Sequence, residues 1–105
     1  ISQLIKDGYM HGVDIPQSES FKAGMLFART EGIIPAPESC HAIAATIREA
    51  MKAKEAGEAK VILFCLSGHG LIDMPSYESY INGDLHDYAV SDDEIKKFLA
   101  TVPEV

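Results

Sequence analysis

Val61-Ile62-Leu63-Phe64-Cys65-Leu66-Ser67-Gly68-His69-Gly70 joins an unbroken apolar run to a turn of small residues. Residues 61–66 lack the alternation that marks a strand with one wet face, so the run reads as a strand buried on both sides. Such a strand needs neighbours in a sheet and helices against each face. The helix ahead of it is the clearest element of the chain. Across residues 38–56, Ala42, Ile43, Ala45, Ile47, Ala50 and Met51 form one apolar side. Glu38 suits the positive N-terminal end, Lys52 and Lys54 suit the negative C-terminal end, and Gly57 can close it.

Working outward, residues 2–7 predict a short helical end that Gly8 can close in a left-handed conformation. Tyr9, His11, Val13 and Ile15 alternate with other residues up to Pro16, which predicts a short strand or extended stretch. Ser18 is the expected cap of a helix over residues 19–29, with Phe21, Met25 and Ala28 on one face and Gly32 as its stop. Pro35-Ala36-Pro37 holds the preceding isoleucines, Ile33 and Ile34, extended. Downstream, helices are expected over 76–82 and 91–101, the latter opened by the capping box Ser91-Asp92-Asp93-Glu94. The expected class is therefore α/β, a partial, open, mostly parallel sheet with flanking helices, and residues 1–105 form a single segment of it. One confident strand is too few for a sheet, so an exposed edge is expected that another chain or further sequence covers. Residues 1–6 also open without an initiator methionine and read like the interior of a helix already under way. A longer parent chain is expected.

Composition excludes several classes. The 105 residues are 47% hydrophobic and 24% charged, ordinary for one small globular unit. Nine basic residues against sixteen acidic ones give a formal charge of −7, which repels nucleic acid and anionic lipid. No apolar run approaches the roughly 20 residues that span a bilayer, and no basic-then-apolar leader opens the chain. The expected location is cytoplasmic. Cys40 and Cys65 fit neither a redox pair nor a zinc spacing and read as reduced core thiols. His11, His69 and His86 show no metal spacing. Cys40 and His41 are adjacent, but neighbouring helical residues point apart, which argues against a nucleophile pair.

Two places could carry chemistry. Ligand sites in open α/β sheets lie beyond the carboxyl ends of strands, where Ser67-Gly68-His69-Gly70 falls. Glycines there admit a ligand close to the backbone, and Ser67 offers a hydroxyl that donates and accepts. The same four residues also fit a plain tight turn. The second place is Arg29-Thr30-Glu31-Gly32-Ile33-Ile34-Pro35, where Glu31 sits between a helix end and a rigid stretch. It also fits a solvated carboxylate near a cap.

Resemblance adds to this. The stretch from Arg29 through Glu38-Ser39, followed by His41-Ala42-Ile43, resembles the segment of tryptophan synthase β chains that runs into a long helix. Val61 to Gly70 resembles their last strand and glycine turn, with order and spacing compatible over most of residues 8–85. The likeness is to the divergent second class of these chains rather than the common one. In place of the common turn's Arg, Asp and Lys stand His69, Leu71 and Ile72, while Asp73 keeps the last acidic position.

The resemblance implies a C-terminal segment of a fold-type II pyridoxal-phosphate lyase whose parent joins serine to indole. It implies that Ser67 bonds the cofactor's pyridine nitrogen, that Gly68 gives the ring room, and that Glu31 stands beside it. A hydroxyl at that nitrogen, unlike an aspartate, does not hold it protonated, which favours loss of a β-substituent over transamination. The Schiff-base lysine, the phosphate-cradling glycine loop and the carboxylate that guides indole do not occur, so no catalytic residue lies in this segment. The seven lysines, Lys6, Lys22, Lys52, Lys54, Lys60, Lys96 and Lys97, read as solvated charges. Pyridoxal 5'-phosphate is expected in the parent, not on the segment alone, and the isolated chain is expected to be inactive. Serine or phosphoserine is the implied donor, a tryptophan synthase α subunit a partner of the parent, and self-association the expectation for the unfinished sheet. Two other readings stay open. One is a fold-type II enzyme acting on serine, threonine or cysteine derivatives, and the other is a non-catalytic interaction module.

Overall fold

Helical periodicity and caps set the architecture of the computed structural model, which describes residues 1–101. Five helices form in that range: α1 (Ser2–Lys6), α2 (Gln17–Glu31), α3 (Pro37–Ala56), α4 (Met74–Ile81) and α5 (Asp92–Leu99). Gly32 and Gly57 close α2 and α3 at φ +71° and +68°, a left-handed conformation that costs glycine little. Pro37 is the first residue of α3, where its missing N–H leaves no bond unmade. The capping box of α5 is formed: the Ser91 hydroxyl accepts the Glu94 N–H, and Glu94 accepts the Ser91 N–H at 3.0 Å.

The start of α2 departs from expectation. The helix begins two residues earlier, at Gln17, and Ser18 is not its cap. The Ser18 hydroxyl instead donates to Asp87 Oδ2, while Oδ1 accepts the Ser18 N–H at 2.9 Å. A carboxylate from beyond α4 thus satisfies a free amide at the positive end of α2. These bonds hold the Asp87 carboxyl below its ordinary value. A depressed folded value means that the tie stabilises the fold above the ordinary carboxyl range and that this is lost as pH falls through the folded value. We therefore expect acid to weaken wild type more than Asp87→Asn, measured by thermal unfolding between neutral pH and strong acid. Parallel acid profiles would show that the tie contributes nothing.

α2 packs along α3, and α4 packs on α2. Ile15, Ala23, Ile43 and Ala44 make one buried cluster, with Phe27, Ile47 and Phe64 packed against it. Phe21, Cys40 and Tyr77 make the other, flanked by Met25, Ile34 and Tyr80. Arg48 on α3 grips Glu19 on α2 with two guanidinium nitrogens, Nε at 2.6 Å, and donates to the Asp14 carbonyl at 3.1 Å. That fork pushes the Glu19 carboxyl down and the Arg48 guanidinium up.

The α/β expectation is overturned. Among the described residues there is no strand, neither at 61–66 nor at 9–15, so the fold is helical and holds no parallel sheet. A ladder needs a partner strand to exchange hydrogen bonds, and among the described residues no backbone hydrogen bond joins 61–66 to another stretch. The apolar run was a signal of burial, and only half of it is satisfied. Ile62 and Phe64 turn inward, half-buried, with Phe64 edge-on to Phe27 at 6.0 Å between ring centres. Val61 and Leu63 stand 101% and 95% exposed on the other face. Cys65 is exposed as well, so only Cys40 is the core thiol expected of both. In the 9–15 stretch, Ile15 alone reaches the core.

Candidate functional site

The turn after residue 66 is held from three directions. Ser39, in the first turn of α3 and 3% exposed, reaches it first. Its hydroxyl donates to the Ser67 carbonyl, accepts the Ser67 N–H at 3.2 Å and lies 3.4 Å from the Ser67 hydroxyl. Ser67 itself is exposed. The backbone is thus clamped while the side chain stays open to a ligand.

Gly68 and Gly70 set the turn against the connection 32–36. Gly68 has φ +71°, and a Cβ there would sit 3.4 Å from that of Ala36. Gly70 is buried, and its N–H donates to the Ile34 carbonyl at 2.9 Å. A Cβ on Gly70 would stand 2.5 Å from the Pro35 carbonyl oxygen, so only glycine admits this approach. Between them, the His69 Nδ1 accepts the Leu71 N–H at 3.3 Å, which makes the ring part of the turn.

Tyr77 on α4 completes the support. Its hydroxyl donates to the Pro35 carbonyl at 2.6 Å and lies 3.2 Å from the Cys40 thiol, which in turn donates to the Ala36 carbonyl at 3.3 Å. Burial pushes both the Tyr77 hydroxyl and the Cys40 thiol to higher pKa, so both stay protonated donors at neutral pH. Gly24 on α2 faces Cys40 with no room for a side chain. The connection 32–36 and the turn 67–70 are in this way one packed unit, fixed between α2, α3 and α4.

Of the residues singled out from sequence, Ser67 and Gly68 lie together at this unit's surface. Glu31 ends α2, exposed, a short way up the chain from Ile34 and Pro35. Among the described residues no hydrogen bond or ion pair joins Glu31 to the turn. Cys40 and His41 do not act together: Cys40 is buried against Tyr77, and His41 is exposed. Sequence reasoning missed Ser39 and Tyr77. Ser39 left a faint signal, since it precedes Ile43 by one helical repeat and so shares the buried side of α3. Tyr77 left none, because its partners are a carbonyl and a thiol remote in sequence. All seven lysines are exposed, and Lys52 and Lys60 pair with Glu49 at 2.7 Å and Glu58 at 2.8 Å. No helix of the described residues is long and apolar enough to cross a membrane.

No family model matches the chain. It is similar to tryptophan synthase beta chain 2 of Aquifex aeolicus, 55% identical over 87 residues, or 83% of this chain and 20% of that protein. The tryptophan synthase beta chain of Thermococcus gammatolerans is 57% identical over 88 residues, 84% of this chain and 20% of its own. Tryptophan synthase beta chain 2 of Methanosarcina mazei is 58% identical over 85 residues, 81% of this chain and 19% of its own. The chain spans about a fifth of the length of the curated relatives it matches.

Proposed function

This chain belongs to the tryptophan synthase β-chain family, and we propose that it supplies the ring-facing wall of a pyridoxal-phosphate site in a longer parent that joins serine to indole. Residues 1–105 would be one C-terminal segment of that parent. The observation that carries this reading is the Ser67 hydroxyl, left open to ligand while its backbone is clamped to Ser39. The residues present fit the ring edge of the cofactor. Ser67 offers a neutral donor to a pyridine nitrogen, and Gly68 keeps side-chain bulk away from the face beside it. Glu31, exposed and without a partner among the described residues, is a free carboxylate for the same site. Pyridoxal phosphate, when bound, supplies the electron sink for exchanging the serine hydroxyl for indole.

This chain's part is binding and orientation. Ser67 donates its proton without holding a positive charge on the ring, which suits loss of a β-substituent. The turn is built on backbone hydrogen bonds and buried glycine packing, so its donor starts in place. The seven lysines all stand in solvent, which supports the reading that the covalent lysine belongs to another part of the parent. The segment alone is therefore inactive in this reading and holds the cofactor only within its parent. The uncovered positions Val61, Leu63 and Cys65 give a surface for self-association of the segment, and the tryptophan synthase α subunit that the resemblance implies would contact the parent.

The test is the full-length polypeptide that carries this segment, supplied with pyridoxal phosphate, serine and indole. We expect tryptophan, with at least about a tenfold loss of rate in Ser67→Ala, the size of one lost hydrogen bond to a partly charged ring. Release of the β-substituent from a serine, threonine or cysteine derivative without consumption of indole would instead favour a different lyase of the same fold type. Neither activity would leave an interaction module. The isolated segment should neither form product nor retain cofactor on a lysine after borohydride, and should sediment above monomer mass. A lysine adduct or a clean monomer would each remove the corresponding part of the reading.

A further inference from the structure

Among the described residues the Ser39 hydroxyl has no partner but Ser67, yet it meets that residue at three atoms: the carbonyl oxygen, the N–H at 3.2 Å and the side-chain hydroxyl at 3.4 Å. A serine inside the first turn of a helix ordinarily turns its hydroxyl back on its own helix. Here it points across to a segment 28 residues away. We infer that Ser39 is a positioning residue, which fixes the rotation of the Ser67 backbone and so aims the Ser67 hydroxyl at the ring nitrogen. This rests on the reading that Ser67 faces the cofactor.

The chemistry follows from donor counting. Ser39 has one hydroxyl proton, and it goes to the Ser67 carbonyl. At the other two contacts Ser39 can only accept. With its bond from the Ser67 N–H, one atom grips the peptide units on both sides of the Ser67 Cα, which restrains the backbone rotations of that residue. The contact between the two hydroxyls, at 3.4 Å, is too long to hold the Ser67 proton against a better acceptor. Ser67 therefore keeps its proton available for an unprotonated ring nitrogen. The two serines divide the work: the buried one holds, and the exposed one binds.

The position of Ser39 makes this separable from general stability. Alanine is a better helix former than serine, so α3 loses nothing by Ser39→Ala. Ser67 is exposed and its two backbone bonds to Ser39 are only partly buried, so the expected result is a loosened turn in an intact fold. Tyr77 and Gly70 still hold the connection 32–36 to the other side of the turn. What is lost is the aim of one residue.

The first measurement is amide hydrogen exchange of the 105-residue chain, taken as the ratio of protection at Ser67 to that at Ile43 on α3. The ratio cancels any uniform loss of stability. Ser39→Ala should lower it about tenfold, and Ser39→Thr, which keeps the hydroxyl, should restore it. An unchanged ratio in Ser39→Ala overturns the inference. The second measurement is the cofactor's absorption and emission in the full-length polypeptide bearing this segment, with Ser67→Ala and Ser39→Ala compared. Both should shift the spectrum in the same direction, Ser39→Ala by less. A shift with Ser67→Ala alone overturns the role of Ser39 and leaves the cofactor reading standing. No shift with Ser67→Ala removes the cofactor reading, and this inference falls with it.

Discussion

Gly70→Ala is expected to lower the stability of the chain by about 3 kcal/mol, the upper part of the range for forcing an extra methyl into a filled site. The new Cβ would stand 2.5 Å from the Pro35 carbonyl oxygen, 2.8 Å from Ile34 Cγ2 and 2.9 Å from the Tyr77 ring. The nearest of these is backbone, which has no flexible end to swing aside. The same carbonyl accepts the Tyr77 hydroxyl at 2.6 Å, and the Gly70 N–H donates to Ile34 at 2.9 Å. Moving the chain to admit the methyl thus strains or breaks two hydrogen bonds that hold the connection 32–36 in place. Denaturant unfolding should show a lower midpoint at unchanged slope. Gly12→Ala, where a Cβ meets nothing within 4 Å, is the control. If Gly70→Ala unfolds within about 0.5 kcal/mol of wild type, the limit for an ordinary surface change, the turn does not rest on Pro35 as described.

Phe21→Ala should cost more, about 3–5 kcal/mol, the range for removing a core aromatic without refilling its space. Phe21 is 3% exposed. Its ring meets Tyr77 edge-on at 5.2 Å and stacks on Tyr80 at 5.6 Å. These contacts carry the packing of α4 on α2, since among the described residues Phe21 is the buried aromatic that α2 offers to α4. A domain's entire stability is typically about 5–15 kcal/mol, so the expected outcome is release of α4 from α2 or unfolding outright. Near-ultraviolet circular dichroism would report the lost tyrosine environment, and calorimetry the stability. Full retention of both signals would show that α4 is held by something other than this ring.

The contrast between these residues and those legible beforehand is physical. Gly32, Gly57 and the Ser91 to Glu94 box announce helix ends because their chemistry is local: a left-handed residue or a hydroxyl facing the next turn. Ser18 carries the same chemistry and misled, since its hydroxyl is taken by Asp87, 69 residues on. The run at 61–66 misled for a different reason. Unbroken apolar sequence states a preference for burial, and which atoms do the burying is settled elsewhere. Here the helices cover Ile62 and Phe64 and leave Val61 and Leu63 uncovered. Glycines and a serine in series marked the turn itself. Its supports were faint in the case of Ser39 and silent in the case of Tyr77, because each serves a backbone group whose neighbourhood only the folded chain defines. The family was legible from two motifs in register, and relatives of 55% to 58% identity bear it out.

One consequence of the alternating face concerns spacing. Phe64 is anchored on Phe27 and Ser67 on Ser39, so the residues between them form a ruler with both ends fixed. At the rise of an extended chain that ruler is about 10 Å long. Because side chains alternate with a period of two, one inserted residue would send either Phe64 or Ser67 to the opposite face. Cys65 and Leu66 could change identity far more freely than they could change number. The aim of the exposed hydroxyl is in that sense measured out from an aromatic contact three residues upstream.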